Sequence, residues 1–171
     1  MEQNKTNVGI EMGRITQIIL ASCLLFGSAP LHCASEDAPW GVAKVLHIEY
    51  KPNKVLYDLT SGDKKDLVSV LDRVGYLYKL YGSDTFDSSI VVVIHGGAIP
   101  FFAIDELERN KEIMQSAQSL TVGTSIEFRM CHAAARLLNY ESNDIHGFVT
   151  MVPMADAEIV RLQHDGYAYM H

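Results

Sequence analysis

Ser89 to His95, SIVVVIH, is a near-continuous run of β-branched residues, and it constrains the fold more than any other stretch. Val and Ile are stiff at χ1 and suit a pleated strand. A strand that is apolar on both faces must be covered on both, which is the pattern of a parallel sheet in an α/β protein. Gly96 and Gly97 follow at its carboxyl end, where a missing side chain lets the backbone turn tightly or approach a ligand. His95 lands on the carboxyl rim of that sheet. There it either borders a site or caps the strand by bonding a backbone carbonyl.

The flanking segments supply the other layers. Lys54 to Thr60 (KVLYDLT) reads as a first strand, and Ser61-Gly62-Asp63 supplies a turn and a helix cap. From Asp63 to Tyr81, apolar residues fall at Leu67, Val70, Leu71, Val74, Leu77 and Leu80, which is helical spacing, and Gly82 stops it. Tyr76, Tyr78 and Tyr81 on that helix either extend its core face or serve as interface aromatics. Ala98 to Leu107 predicts a short helix. Asn110 to Leu120 predicts another, with Ile113, Met114, Ala117 and Leu120 on one side. Asn139 to Gly147 reads as a polar loop, Phe148 to Val152 as a strand closed by Pro153, and Ala155 to Gln163 as a helix capped by Gly166. Tyr167 to Met170 is a short last strand. Strand alternating with helix implies βαβ units with right-handed crossovers. The expected fold is α/β: a single-domain three-layer α/β/α sandwich on a mostly parallel sheet of about five strands.

Ser125 to Leu138, SIEFRMCHAAARLL, carries the chemistry. Ile126, Phe128 and Met130 alternate with Glu127 and Arg129, the period of a half-buried strand. His132 to Leu138 is Ala-rich and favours helix. Cys131 therefore stands where a strand hands over to a helix, and in open α/β sheets sites are built in that carboxyl-end crevice. A helix's first turn leaves N–H groups unpaired beside a positive dipole end, and a neighbouring cation lowers the pKa of a thiol. Arg129 and His132 flank the sulfur and are the expected supports of a thiolate. Against this stands the plain alternative that a free cysteine is often a small buried hydrophobe.

Cysteine usage bears on that choice. Ile15 to Phe26 is the one long apolar run, short for a bilayer span. It follows Arg14 and precedes small residues up to Ala34 and Ser35, the layout of a secretory signal peptide. Residues 1–34 are thus read as a leader, with Met12 as the expected true start because it opens a basic segment free of Glu2 and Glu11. The LASC at Leu20 to Cys23 resembles a lipobox, but apolar residues continue beyond Cys23, so lipid anchoring there is not expected. Residues 35–53 form an N-terminal arm with a strand-like patch at Val45 to Tyr50, and the domain spans 54–171. Of three cysteines, Cys23 and Cys33 lie in the leader. Cleavage leaves Cys131 alone, and an unpaired thiol in an exported protein is a candidate reactive group. Export to a bacterial periplasm follows as the expected location.

Composition removes several functions. The chain has 171 residues, is 48% hydrophobic and 20% charged, and carries a net charge of −7. With no basic stripe, nucleic acid is not an expected partner. There is no CxxC pair for a dithiol mechanism, and no P-loop. Gly96-Gly97 is too short for a dinucleotide fingerprint. The histidines, including His132, His146 and His164, are scattered singly, without the pairing of a zinc site. Neither metal nor cofactor is expected.

KVLYDLT, SIVVVIHGGAI, the FRMC junction and the terminal MVPMADAEIVRLQHDGYAYMH together resemble the DsrE family of small sulfur-handling proteins, in its exported branch. The resemblance covers Lys54 to His171. It implies a flavodoxin-like, DsrEFH-like sandwich, assembly into trimers or hexamers, and in some members relay of sulfur as a cysteine persulfide. The position matching the family's cysteine is Cys131. Exported members resemble C-G-N after the strand, where this chain has Cys131-His132-Ala133. The implied function is an exported sulfur carrier or sulfurtransferase. Its Cys131 takes sulfane sulfur from a donor protein or small persulfide and passes it to an acceptor, with His95, Gly96 and Gly97 bordering the pocket and no cofactor. The other reading is a non-catalytic oligomeric binding module that uses the sheet rim, with Cys131 structural.

Overall fold

A computed structural model describes residues 38–171. The expected leader, the expected start at Met12, Cys23 and the expected cleavage after Ala34 lie outside the described residues. The chain divides into two units, Met1–Leu46 and His47–His171. Of the first, residues 38–46 hold one turn, in which the Gly41 N–H donates to the Ala38 carbonyl at 2.9 Å. The expected strand at Val45 to Tyr50 is not formed. An extended segment becomes a strand only by pairing, and no described strand offers it a ladder.

The second unit is built on β1 (Lys54–Leu59), β2 (Ser89–Ile94), β3 (Ile126–Cys131), β4 (Val149–Val152) and β5 (Ala168–Met170). They form one parallel sheet in the order β4-β3-β2-β1-β5. The β-branched strand β2 lies at its centre, and Ile90 to Ile94 are fully buried. Four helices connect the strands: α1 (Lys64–Leu80), α2 (Leu107–Thr121), α3 (His132–Leu137) and α4 (Ala155–His164). The fold is the three-layer α/β/α sandwich that alternating elements imply.

Which helix covers which face follows from handedness. The steps β1 to β2 to β3 to β4 all run the same way across the sheet, so right-handed crossovers put their helices on one face. There Val55, Tyr57 and Leu59 of β1, with the alternate residues of β2 and β3, bury against Leu67, Val70, Leu71 and Val74 of α1 and Met114 and Ala117 of α2. Phe102, Phe128 and Phe148 cluster in that layer with centroids 5.8–6.3 Å apart. The return from β4 to β5 runs the other way, so α4 falls on the opposite face. It packs Ala155 and Leu162 on Leu56, Val91, Val93 and Cys131.

Local chemistry sets the ends. Asp63 caps α1, its Oδ1 accepting the Lys65 N–H at 2.8 Å, and Gly82 follows at φ +71, a left-handed conformation that suits glycine. The three tyrosines of α1 divide: Tyr78 is buried and donates to the Ser83 carbonyl at 3.0 Å, Tyr81 packs partly on the core, and Tyr76 is exposed. The helix expected over Ala98 to Leu107 is instead a 3-10 turn at Gly96–Phe102 and another at Ile104–Glu106, and α2 starts at Leu107. Pro100 explains this: it lacks the N–H that an α-helical i→i−4 bond needs. The expected polar loop over 139–147 contains a 3-10 turn at Ser142–Asp144 and a buried Ile145, which bridges Ala103.

Candidate functional site

Cys131 is both the last residue of β3 and the N-cap of α3. Its Sγ accepts the Ala134 N–H at 3.4 Å, so one unpaired amide of the helix start is given to sulfur. Another is used elsewhere, since the Ala133 N–H donates to the Pro153 carbonyl at 3.2 Å. The chain leaving β3 turns to the α1/α2 face and the chain leaving β4 turns to the α4 face, so Cys131 stands at the crevice where open α/β sheets hold ligands. The residue is 4% exposed and belongs to the buried apolar cluster under α4 that also holds Val93 and Ala155.

The expected supports are arranged differently from one another. Arg129 shares the α4 face with Cys131 by strand alternation, but its guanidinium is held between Glu127 at 2.7 Å and Glu158 at 2.5 Å. Burial opposes the Arg129 charge, and the bonds from these carboxylates outweigh it and raise its pKa. Glu158 is in turn held by Arg161 at 2.7 Å. The Arg161 hydrogen bond first, and Arg129 after it, bring the Glu158 carboxyl down to about 2 against the opposing effect of burial. The positive charge of Arg129 is thus shared between two carboxylates rather than directed at sulfur. His132 opens α3, is 40% exposed, and has Nε2 at 3.3 Å from Glu141.

The His95 ring bonds a carboxylate rather than a backbone carbonyl. Its Nε2 lies 2.8 Å from Asp58 Oδ1, and its backbone N–H donates to the Leu59 carbonyl at 3.0 Å. The other oxygen of Asp58 accepts the Tyr169 hydroxyl at 2.5 Å. That hydrogen bond raises the pKa of Tyr169, with burial adding to it, so the phenol remains a donor at neutral pH. A polar chain therefore crosses three adjacent strands, from Tyr169 on β5 through Asp58 on β1 to His95 at the end of β2. The β2–β3 register ends at Ile94↔Met130, and His95 and Cys131 are the next residues of the two neighbouring strands' chains.

Gly96 and Gly97 make their close approach to the protein's own backbone. Gly96 sits at φ +57, and a Cβ on Gly97 would lie 2.8 Å from the Gly62 nitrogen. The two glycines fix the loop after β2 against the loop after β1, and so hold the rim on which His95 stands. A cavity of about 850 Å³ opens elsewhere, between the start of α1 and α2, lined by Asp63, Lys64, Val68, Asn110 and Ile113 among others, and it includes none of the rim residues. Among the described residues, no group of three or more His, Cys, Asp or Glu is placed to hold a metal ion, and no helix is long and apolar enough to cross a membrane.

Sequence reasoning missed Asp58, Tyr169 and Glu158. A signal existed for Asp58: it is the one carboxylate in KVLYDLT, and a charge on a strand covered on both faces needs a partner.

No protein-family model matches the chain, and no curated protein matches it. Among solved structures it is similar to MTH1491 from Methanobacterium thermoautotrophicum, a protein of unknown function. The two are 19% identical with a TM-score of 0.56, over 69% of this chain and 97% of that one. The likeness is one of fold, an α/β sheet of parallel strands with helices on both faces.

Proposed function

We propose that the chain is a DsrE-like sulfur carrier or sulfurtransferase, exported and oligomeric, in which Cys131 accepts sulfane sulfur and passes it on as a persulfide. The observation that carries this reading is the junction itself: a cysteine at the crevice between β3 and β4 whose Sγ accepts the Ala134 amide. An N–H aimed at sulfur stabilises it as the leaving or attacking anion. The donor and acceptor are proteins or small molecules bearing a persulfide or a thiol, since both half-reactions are thiolate attacks on sulfur.

The 4% exposure of Cys131 and its apolar neighbours favour a second reading, a binding module on the same rim with the cysteine as packing. Alkylation of the folded protein, followed by mapping of the Cys131 peptide, separates the two. A carrier cysteine is modified in the native chain at neutral pH. A packed one is modified only at the rate of unfolding.

A further inference from the structure

Three basic side chains, Arg129, His132 and His95, come near Cys131 in sequence or at the end of the neighbouring strand β2, and their partners and placement distinguish them. Arg129 is held by Glu127 and Glu158, and His132 lies outward against Glu141. His95, like His132, turns Nε2 to a carboxylate, but by strand alternation it stands with Val93 on the α4 face of the sheet, the face that holds Cys131. A carboxylate only accepts hydrogen bonds, so the ring nitrogen facing Asp58 is the N–H. In the neutral ring the lone pair then sits on Nδ1, which has no partner among the described residues. Tyr169, on the far oxygen of Asp58, fixes the carboxylate, and the carboxylate fixes the tautomer.

Resting on the sulfur-carrier reading, we infer that His95 is the proton-transfer group of the site and that Asp58 and Tyr169 are its positioning residues. The step balances without a redox partner. An acceptor thiol gives its proton to His95 Nδ1, and the thiolate so formed attacks the outer sulfur of the Cys131 persulfide. A new sulfur–sulfur bond forms on the acceptor while the bond from Cys131 Sγ to the outer sulfur breaks. Cys131 leaves as a thiolate, held by the Ala134 N–H, and takes the proton back from His95. Acceptor thiols, rather than ones already ionised, are therefore the substrate class that this site is built to serve.

The test is sulfur release from polysulfide-loaded full-length protein to glutathione, followed by mass of the Cys131 peptide across pH, in wild type, His95→Gln, Asp58→Asn and Tyr169→Phe. Asp58 from β1 bonds His95, Tyr169 from β5 bonds Asp58 with His171 stacked on it at 6.3 Å, and Cys131 ends the neighbouring strand β3. At about pH 7, His95→Gln slows release on the order of 100-fold and Asp58→Asn about tenfold, with Tyr169→Phe between Asp58→Asn and wild type. All three deficits shrink above about pH 8.5, where the acceptor is already a thiolate. Equal rates in wild type and His95→Gln, or a deficit unchanged at high pH, overturn the inference while leaving the carrier reading intact. Failure of wild type to load sulfur on Cys131 overturns both. Should His95→Gln not fold, nitrogen NMR of the wild-type ring decides: a proton on Nε2 with Nδ1 bare supports the inference, and the reverse tautomer overturns it.

Discussion

Glu158 is 11% exposed and lies between Arg129 and Arg161, which makes it the residue with the clearest pH signature. Its carboxyl is lowered from 4.5 to about 2 in the folded chain, chiefly by the Arg161 hydrogen bond. A depressed folded value means the stabilisation is complete above the unfolded value and disappears as pH falls from about 4.5 towards 2. The shift corresponds to roughly 3 kcal/mol before screening, less the share of Arg161, which is half exposed and screened by solvent. Glu158→Gln is therefore expected to unfold at lower urea concentration than wild type at pH 7, with the two curves converging by about pH 2. A constant gap at every pH contradicts the ion-pair explanation. The same carboxylate explains why Arg129 beside a cysteine is not by itself evidence of a reactive sulfur.

At the scale of elements, the loops leaving β1 and β2 meet at Gly62 and Gly97. A Cβ on Gly97 would stand 2.8 Å from the Gly62 nitrogen and 3.0 Å from its Cα, and backbone atoms cannot swing aside as a side-chain tip can. Gly97→Ala is expected to cost roughly 1–3 kcal/mol, read as a melting temperature several degrees lower. An unchanged melting temperature contradicts the contact. The elements themselves were legible because their signals are local. A β-branched run marks β2 whatever surrounds it, and the change from alternation to an Ala-rich run marks the turn at Cys131. The rim was only half legible. His95 is readable as a rim residue, but its partner Asp58 is 37 positions away and Tyr169 is 111 from Asp58. No pattern in KVLYDLT says which strand will lie on either side of β1. Likewise Arg129 looks free in sequence because Glu158 arrives from 29 residues further on. Pro100, with no N–H to give, is the local signal in residues 98–107 against a continuous α-helix.

The whole molecule sets a row of polar groups along the carboxyl rim of β5, β1, β2 and β3, ending at a cysteine in the crevice between β3 and β4. The single return crossover leaves α4 as the only described helix packed on that face, which is why Asp58 and His95 keep contact with solvent at 15% and 26% side-chain exposure. The edge strands β4 and β5 carry unpaired backbone groups, and β5 is only three residues long, a length that blunts edge pairing. The proposed sulfur carriage rests on Cys131, so the most direct measurement is intact mass of the purified full-length protein before and after polysulfide, beside Cys131→Ala. Sulfur gained by the wild type, mapped to the Cys131 peptide, removed by reductant and missing from the variant is the result expected of a carrier. Sulfur gained equally by both proteins, or by neither, contradicts it and leaves Cys131 as a core residue beneath a binding rim.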